Sequence, residues 1–289
     1  RIIVENVFSH GVFSLETSAP FSPTNFRTPG YPLFLLLIYL IFSSLKPAIF
    51  IGATIFAFSA PLVYLIAKEI FREKIAFTGA VLFAIEPWAL FQSGFLVADQ
   101  IFVPVFLLTV YLFCLYLKFF KKYYLYYASF LLGVSVLIRP IVLFFISIFI
   151  FLTFIFESKT SVKSAFKYSA LSLLIFSTVF SPWLIRNKIS LDTWQISTIS
   201  NVSLYIENYS MLQQYLGKWR PDDDANEFAR ILLGANNYFE ARRPANAQIL
   251  SKVALEGIRV DFGSYIAMHS SGMLSFLVKN SYGNIFLDL

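Results

Sequence analysis

Charge is what this sequence has least of. Only 14% of its 289 residues are Asp, Glu, Lys or Arg, whereas a water-soluble domain carries about 25%. Histidine occurs twice and cysteine once. A single cysteine closes no internal disulfide, which excludes a disulfide-stapled scaffold and says nothing of redox compartment. There is no low-complexity tract, no internal repeat and no Gly-rich phosphate loop. What fills the chain is apolar: 57% of it is hydrophobic, 34 residues are Phe, and the mean hydropathy is +0.68. This composition excludes a disordered chain and an ordinary cytosolic enzyme. It leaves an all-α polytopic membrane protein. The net charge is +6, but in such a protein the placement of Lys and Arg matters more than their sum.

A spanning helix needs about 20 mainly apolar residues. Ala48 to Ala67, Ile75 to Leu96 (interrupted at Glu86-Pro87) and Ile101 to Leu117 fit. Tyr124 to Ile138 and Ile141 to Phe156 are shorter and meet at Arg139-Pro140. Tyr168 to Ile185 is next, and Tyr265 to Val278 is a last candidate. Tyr31 to Leu45 is apolar but short, which favours a re-entrant or interfacial helix. Arg1 to Gly30 reads as mixed and loop-like, with no signal-peptide pattern. The chain opens on Arg1 and stops just after an apolar segment, so the sequence reads as a fragment cut at both ends, with a processed N-terminus as the alternative.

Basic residues alternate along the stack. Lys68 to Lys74 holds three, Gly94 to Gln100 none, and Lys118, Lys121 and Lys122 come after. The next turn has only Arg139, and then come Lys159, Lys163 and Lys167. The positive-inside rule puts the lysine-rich loops in the cytoplasm and Asp99, Arg139 and the region after Ile185 on the other side. Tyr123, Tyr124, Tyr126 and Tyr127 beside Lys121 and Lys122 read as an interfacial aromatic belt. Asn187 to Ser264 is the one sizeable polar region. In it, Asp222-Asp223-Asp224 precedes a helical run through Ala241, and a second run covers Ala247 to Val260. Three consecutive carboxylates cannot all face one ion on a helix, so helix capping is a stronger reading than a metal cluster.

Charges inside or at the ends of spans are costly, so each is a candidate for function. On the outer side, as the lysines define it, these are Asp99, Arg139 and Arg186, joined by Arg27 if the first loop is external. Arginine grips phosphate in a planar, bidentate way and stays charged when partly buried. The set therefore suits an anionic lipid headgroup. Taken singly, each charge reads more simply as a snorkelling or capping group. Glu86 beside Pro87 reads either as a proton or substrate group or as a carboxyl serving backbone freed by the proline. His269 and Cys114 read as core residues and His10 as solvated. Asn201-Val202-Ser203 and Asn208-Tyr209-Ser210 are glycosylation sequons of a kind common by chance.

Several ordered segments resemble a known family. Gly11-Val12-Phe13-Ser14, then Arg27-Thr28-Pro29-Gly30-Tyr31-Pro32-Leu33-Phe34, is similar to the first external loop of polyprenyl-phosphate-dependent glycosyltransferases of GT-C fold, the protein mannosyltransferase-like and aminoarabinose transferase-like enzymes. Val63 to Phe71 resembles their second transmembrane helix running into a basic turn. Pro87 to Ser93 with Ala98-Asp99 resembles the next helix and its acidic external loop. Gly133 to Pro140 resembles a Gly…Leu-x-Arg-Pro segment, and Pro182-Trp183-Leu184-Ile185-Arg186-Asn187 a Pro-Trp-x-x-Arg-Asn helix end. Ser197-Thr198 to Asn201 and Leu204 to Asn208 resemble the family's segment beyond that helix. The resemblance covers about Ile3 to Asn208.

The resemblance implies a GT-C-type helix bundle with an external helical loop region. Its parts would be a first external loop at 1–30, the bundle at 31–185, an external polar region at 186–264 and a further helix at 265–289. It implies transfer of a sugar, with inversion, from a polyprenyl-phosphate donor to an acceptor glycan, lipid or protein on the outer face of the plasma (inner) membrane. Membrane lipids are partners and nucleic acid is not. Asp99 matches the family's second acidic position, orienting the acceptor or a basic partner. Arg27, Arg139 and Arg186 are phosphate candidates, and Asn187 and Tyr205 line the cleft. By this alignment the main catalytic carboxylate falls upstream of Arg1. No metal ligand is assigned and no cofactor is certain; a divalent ion stays open, since some branches of the family use one. The competing reading is a lipid-linked glycan flippase or small-solute transporter, which Glu86-Pro87 alone favours.

Overall fold

A computed structural model of the chain describes residues 1–220 and 223–278. Their regular secondary structure is all helical, with no strand among the described residues. The helices are α1 (Ile2–His10), α2 (Gly30–Phe42), α3 (Lys46–Ala57), α4 (Ser59–Lys68), α5 (Glu73–Ala84), α6 (Pro87–Ser93), α7 (Asp99–Phe119) and α8 (Lys122–Ile138). After a 3-10 turn, Pro140–Phe144, come α9 (Phe145–Ser158) and α10 (Val162–Leu191). The short α11 (Ile199–Ser203), a π-helical turn Leu204–Tyr209, α12 (Ser210–Tyr215), α13 (Ala225–Leu233) and α14 (Tyr238–Ala241) lead to α15 (Pro244–Val260) and α16 (Phe262–Val278).

Among the described residues, four helical stretches are long and apolar enough to cross a membrane: Lys46–Lys68, Asp99–Phe119, Pro140–Ser158 and Val162–Leu191. A fifth exists if α5 and α6, bent by 49° at their break, form one span. The all-α polytopic fold read from composition is thus the fold observed. α2 has 13 residues, roughly 20 Å at 1.5 Å per residue, well short of a bilayer core of about 30 Å. One expectation fails at the start of the chain. The sequence reads as loop from Arg1 to Gly30, but α1 occupies the first third of that stretch. Val4 is buried against Leu35, Ile38 and Ala48, Gly11 closes the helix in the left-handed conformation, and the Asn6 amide holds the carbonyls of Ser14 and Glu16. A short helix of this kind has too few turns to show its periodicity among polar neighbours.

The chain divides into two compact units. One comprises Arg1–Thr24 with Thr28–Ile196; the other comprises Asn25–Arg27 with the residues from Ser197 onward. The core of the first is built where α7, α8, α9 and α10 meet. Phe113, Tyr116, Leu125, Leu132, Val136, Phe149 and Phe176 are buried there, with Phe113 and Phe149 stacked at 4.0 Å. Close approach of α8 to α10 requires Gly133. A methyl there would lie 2.7 Å from Val179 Cβ and 2.8 Å from the Phe176 carbonyl oxygen. Gly133→Ala is therefore expected to destabilise the bundle by about 1–3 kcal/mol, read as a lowered Tm of the detergent-solubilised protein. An unchanged Tm would mean that α8 and α10 are less tightly apposed than described.

Three lysines at the lysine-rich end pair with glutamates from other segments. Lys118 pairs with Glu69 at 2.6 Å, Lys68 with Glu73 at 3.7 Å, and Lys122 with the buried Glu157. The Tyr116 hydroxyl donates to the same Glu157 carboxylate at 2.7 Å. Arg139 and Asp99 meet at the opposite ends of α8 and α7. The antiparallel packing thus sorts the ionic groups onto two ends, as the alternation of basic residues anticipates.

The second unit has a smaller core of Tyr205, Ala229, Leu250 and Ala254. Asp224 is the N-cap of α13, its carboxylate accepting the Asn226 N–H at 2.8 Å. This is the capping role read for the acidic run, of which Asp222 lies outside the described residues. The helical run anticipated through Ala241 breaks at Gly234, which adopts φ 59°. His269, expected in the core, is exposed beside the Tyr265 ring; its apolar neighbours in sequence lie on other faces of α16.

Candidate active site at the α7–α8 end

Asp99 opens α7 and Arg139 closes α8. An acidic residue in the first turn is favoured by the helix dipole. Arg139 precedes Pro140, and the proline ring forces it out of the helix into extended backbone, at φ −137° and ψ 109°. Its N–H still donates to the Ser135 carbonyl at 2.8 Å. The chain therefore turns at a fixed point and aims the guanidinium across to α7, where Arg139 Nη2 meets Asp99 Oδ2 at 2.6 Å. The arginine side chain is 39% exposed and the aspartate 32%. Arg139 Nε is buried and unpartnered, so Asp99 takes only part of the donor set.

Two residues not singled out from the sequence fix this corner. Thr28 Oγ1 donates to the Ile138 carbonyl at 3.2 Å. Gly30 packs so closely on α8 that a methyl there would sit 2.6 Å from the Leu137 carbonyl oxygen. Both belong to the Arg27-Thr28-Pro29-Gly30 segment, so the signal was present but attached to the charged member. Gln100, next to Asp99, is a third. It is buried, donates to the Ser93 carbonyl at 2.7 Å and packs on Gly52. A narrow recess beside Asp99 is lined by Phe56, Ala89, Gln92, Ser93, Val97 and Gln100.

Arg186 and Asn187 form a second cluster within the same unit, near the end of α10. Arg186 Nη1 donates to the Thr24 carbonyl at 2.8 Å and to Asn187 Oδ1 at 3.0 Å. The guanidinium lies 4.8 Å from the Trp183 ring and 5.6 Å from Phe13. Asn187 is fully buried and donates to the Gln195 carbonyl at 2.8 Å. These bonds bind the first loop and the 192–196 turn to α10.

Arg27 and Tyr205 belong to the other unit. Arg27 is exposed, 5.1 Å from the Phe26 ring. Arg242 lies over the same ring at 4.8 Å. Tyr205 is buried beside Tyr209 and Trp219; burial pushes its hydroxyl pKa up to about 12, so it stays a neutral phenol at physiological pH. Of the six residues singled out, the structure thus brings Asp99 to Arg139 and Arg186 to Asn187.

Glu86 has a structural task. Its carboxylate accepts the N–H groups of Trp88 and Ala89, at 3.1 and 2.5 Å, and so caps α6 where the proline breaks the span. Among the described residues no group of three or more His, Cys, Asp or Glu could hold a metal ion.

Neither the curated proteins nor the solved structures compared with this chain gave a match. The model of one family, dolichyl-phosphate-mannose-protein mannosyltransferase, matches residues 26–185. That stretch is more than half of the chain, and it contains α2 to α9, most of α10, and the Asp99–Arg139 pair. The ordered motifs, the helical membrane fold and this match agree: the chain belongs to the dolichyl-phosphate-mannose-protein mannosyltransferase family, whose fold is of GT-C type, and is a membrane glycosyltransferase.

Proposed function

We propose that the protein transfers a sugar from a polyprenyl-phosphate carrier to an acceptor at the outer face of the plasma membrane, inverting the anomeric centre. The observation that carries this reading is the half-exposed Arg139–Asp99 pair at the end of the bundle remote from the lysines. Bond breaking leaves negative charge on the lipid phosphate. A guanidinium held beside that oxygen, in a cleft partly shielded from water, stabilises the charge as it develops. Arg139 is the phosphate ligand in this reading, and the exposed guanidinium N–H groups that Asp99 leaves over are the donors. Asp99 orients the fork. Arg186 supplies positive potential from its aromatic cradle. The acceptor hydroxyl or amine loses its proton to a carboxylate as the new bond forms.

Transport is the weaker reading, because Glu86, the one feature that favoured it, is used as a helix cap. The test is turnover of labelled polyprenyl-phosphate sugars by the full-length protein in nanodiscs. Release of polyprenyl phosphate coupled to acceptor labelling is expected; movement of intact donor between leaflets without bond cleavage would refute transfer. Asp99→Asn is expected to lower kcat about 10–100-fold. Such a loss is the scale on which a supporting partner's mutation weakens a charged ligand. Unchanged kcat would remove Asp99 from the site.

A further inference from the structure

The surface of the second unit carries a feature that sugar transfer does not use. α13 is a well-made helix. Asp224 caps its start, Gly234 closes its end, and Arg230 grips Glu227 through two N–H···O bonds of 2.9 and 2.6 Å. Its apolar arc is wider than its core contact. Ala225 and Ala229 are buried, and Leu233 packs on the Tyr205 cluster. Phe228, Ile231 and Leu232 form an adjoining strip at i, i+3 and i+4 spacing, and stay 37%, 61% and 49% exposed. Asn226 and Arg230 lie on the far side of the helix from this strip, and Glu227 borders it beside Ile231.

A helix of a water-soluble unit turns its largest apolar residues inward. This one spends small alanines on the core and leaves Phe, Ile and Leu outside. We infer that α13 is an interfacial helix whose Phe228–Ile231–Leu232 strip lies in the headgroup–acyl boundary of the bilayer that the spans cross. Three observations favour lipid over a protein partner. The chain already presents large apolar residues outward on its spanning elements, Phe50, Ile141 and Phe144 among them. The charges flanking the strip neutralise each other in the Glu227–Arg230 pair, so no lone charge is drawn into the boundary. Trp219 stacks on Phe228 at 4.5 Å, and tryptophan is favoured at the headgroup level. Helices of this pattern bury their apolar face about 5–10 Å into the boundary.

The test places an environment-sensitive fluorophore on the full-length protein in nanodiscs, after Cys114→Ser removes the native thiol. One variant carries Ile231→Cys and the other Asn226→Cys, on the polar side of the same helix. Ile231 is outward-facing, so its label leaves the core intact. The label at 231 is expected to emit to the blue of that at 226. It should be quenched severalfold more strongly by nitroxide-bearing lipid, with the 226 label quenched by aqueous iodide. Equal iodide quenching at both sites would show the strip to be bathed in water and overturn the inference. A label at 231 reached by neither quencher would show it covered by protein, which overturns it as well.

Discussion

Arg139→Gln is expected to lower kcat/KM for sugar transfer by about 10²–10³-fold, the loss typical of removing one preorganised donor from a developing oxyanion. Three features make Arg139 preorganised at the α7–α8 corner. Pro140 fixes its backbone, Ser135 holds its N–H, and Asp99 fixes one edge of its guanidinium. Glutamine keeps some length and hydrogen bonding but loses the charge. Arg139→Lys restores the charge without the planar fork, so it should recover only part of the rate. The loss should fall mainly on kcat, because the phosphate gains charge in the transition state. Asp99→Asn combined with Arg139→Gln should cost little more than Arg139→Gln alone, since the two act as a unit. Full activity of Arg139→Gln in correctly folded protein would place the phosphate elsewhere.

The largest stability effect should come from the other end of the bundle. Glu157 is buried and joins α9 to α7 and α8 through Tyr116 and Lys122. Three helices meet on this carboxylate, and Lys122 also lies 4.4 Å from the Tyr168 ring of α10. Breaking a buried ion pair by removing one partner costs about 3–5 kcal/mol. Glu157→Leu is expected to lose most of that, seen as a large drop in Tm in nanodiscs with sugar-transfer chemistry unchanged in the surviving folded fraction. Lys122→Met added to Glu157→Leu should recover a substantial part, because the uncompensated charge is gone. A double-mutant cycle isolates the coupling. If the single variants add, the two residues do not act as a pair.

How much of this was legible in the sequence depended on length scale. Spans of about 20 apolar residues dominate their windows, so the stretches around Ala48–Ala67, Ile101–Leu117 and Ile141–Phe156 emerge as helices with ends shifted by a few residues. α1 did not, because nine residues stabilised by tertiary burial of Val4 carry no such signal. The Asp99–Arg139 pair was half legible. Both charges stand out against apolar neighbours, and parity places them at one end, but no sequence rule gives the 2.6 Å contact. Thr28, Gly30 and Gln100 were hidden for a different reason. Their tasks are to accept a backbone, hold a carbonyl or fill a gap, and small or neutral residues announce none of these. Glu86 was ambiguous in sequence, and only the structure shows its carboxylate accepting two backbone N–H groups at the start of α6.

The lysine–glutamate pairing has a consequence in time as well as in space. Lys122 is synthesised 35 residues ahead of Glu157. While α7 and α8 enter the bilayer, its charge is therefore bare and counts fully toward orientation, to which acidic residues contribute little. Only when α9 has been made can the glutamate reach it. The same ammonium thus works first as a topological signal and later as a packing group. An inverted hairpin would leave Glu157 without its cation, so an insertion error would be recorded as a folding defect.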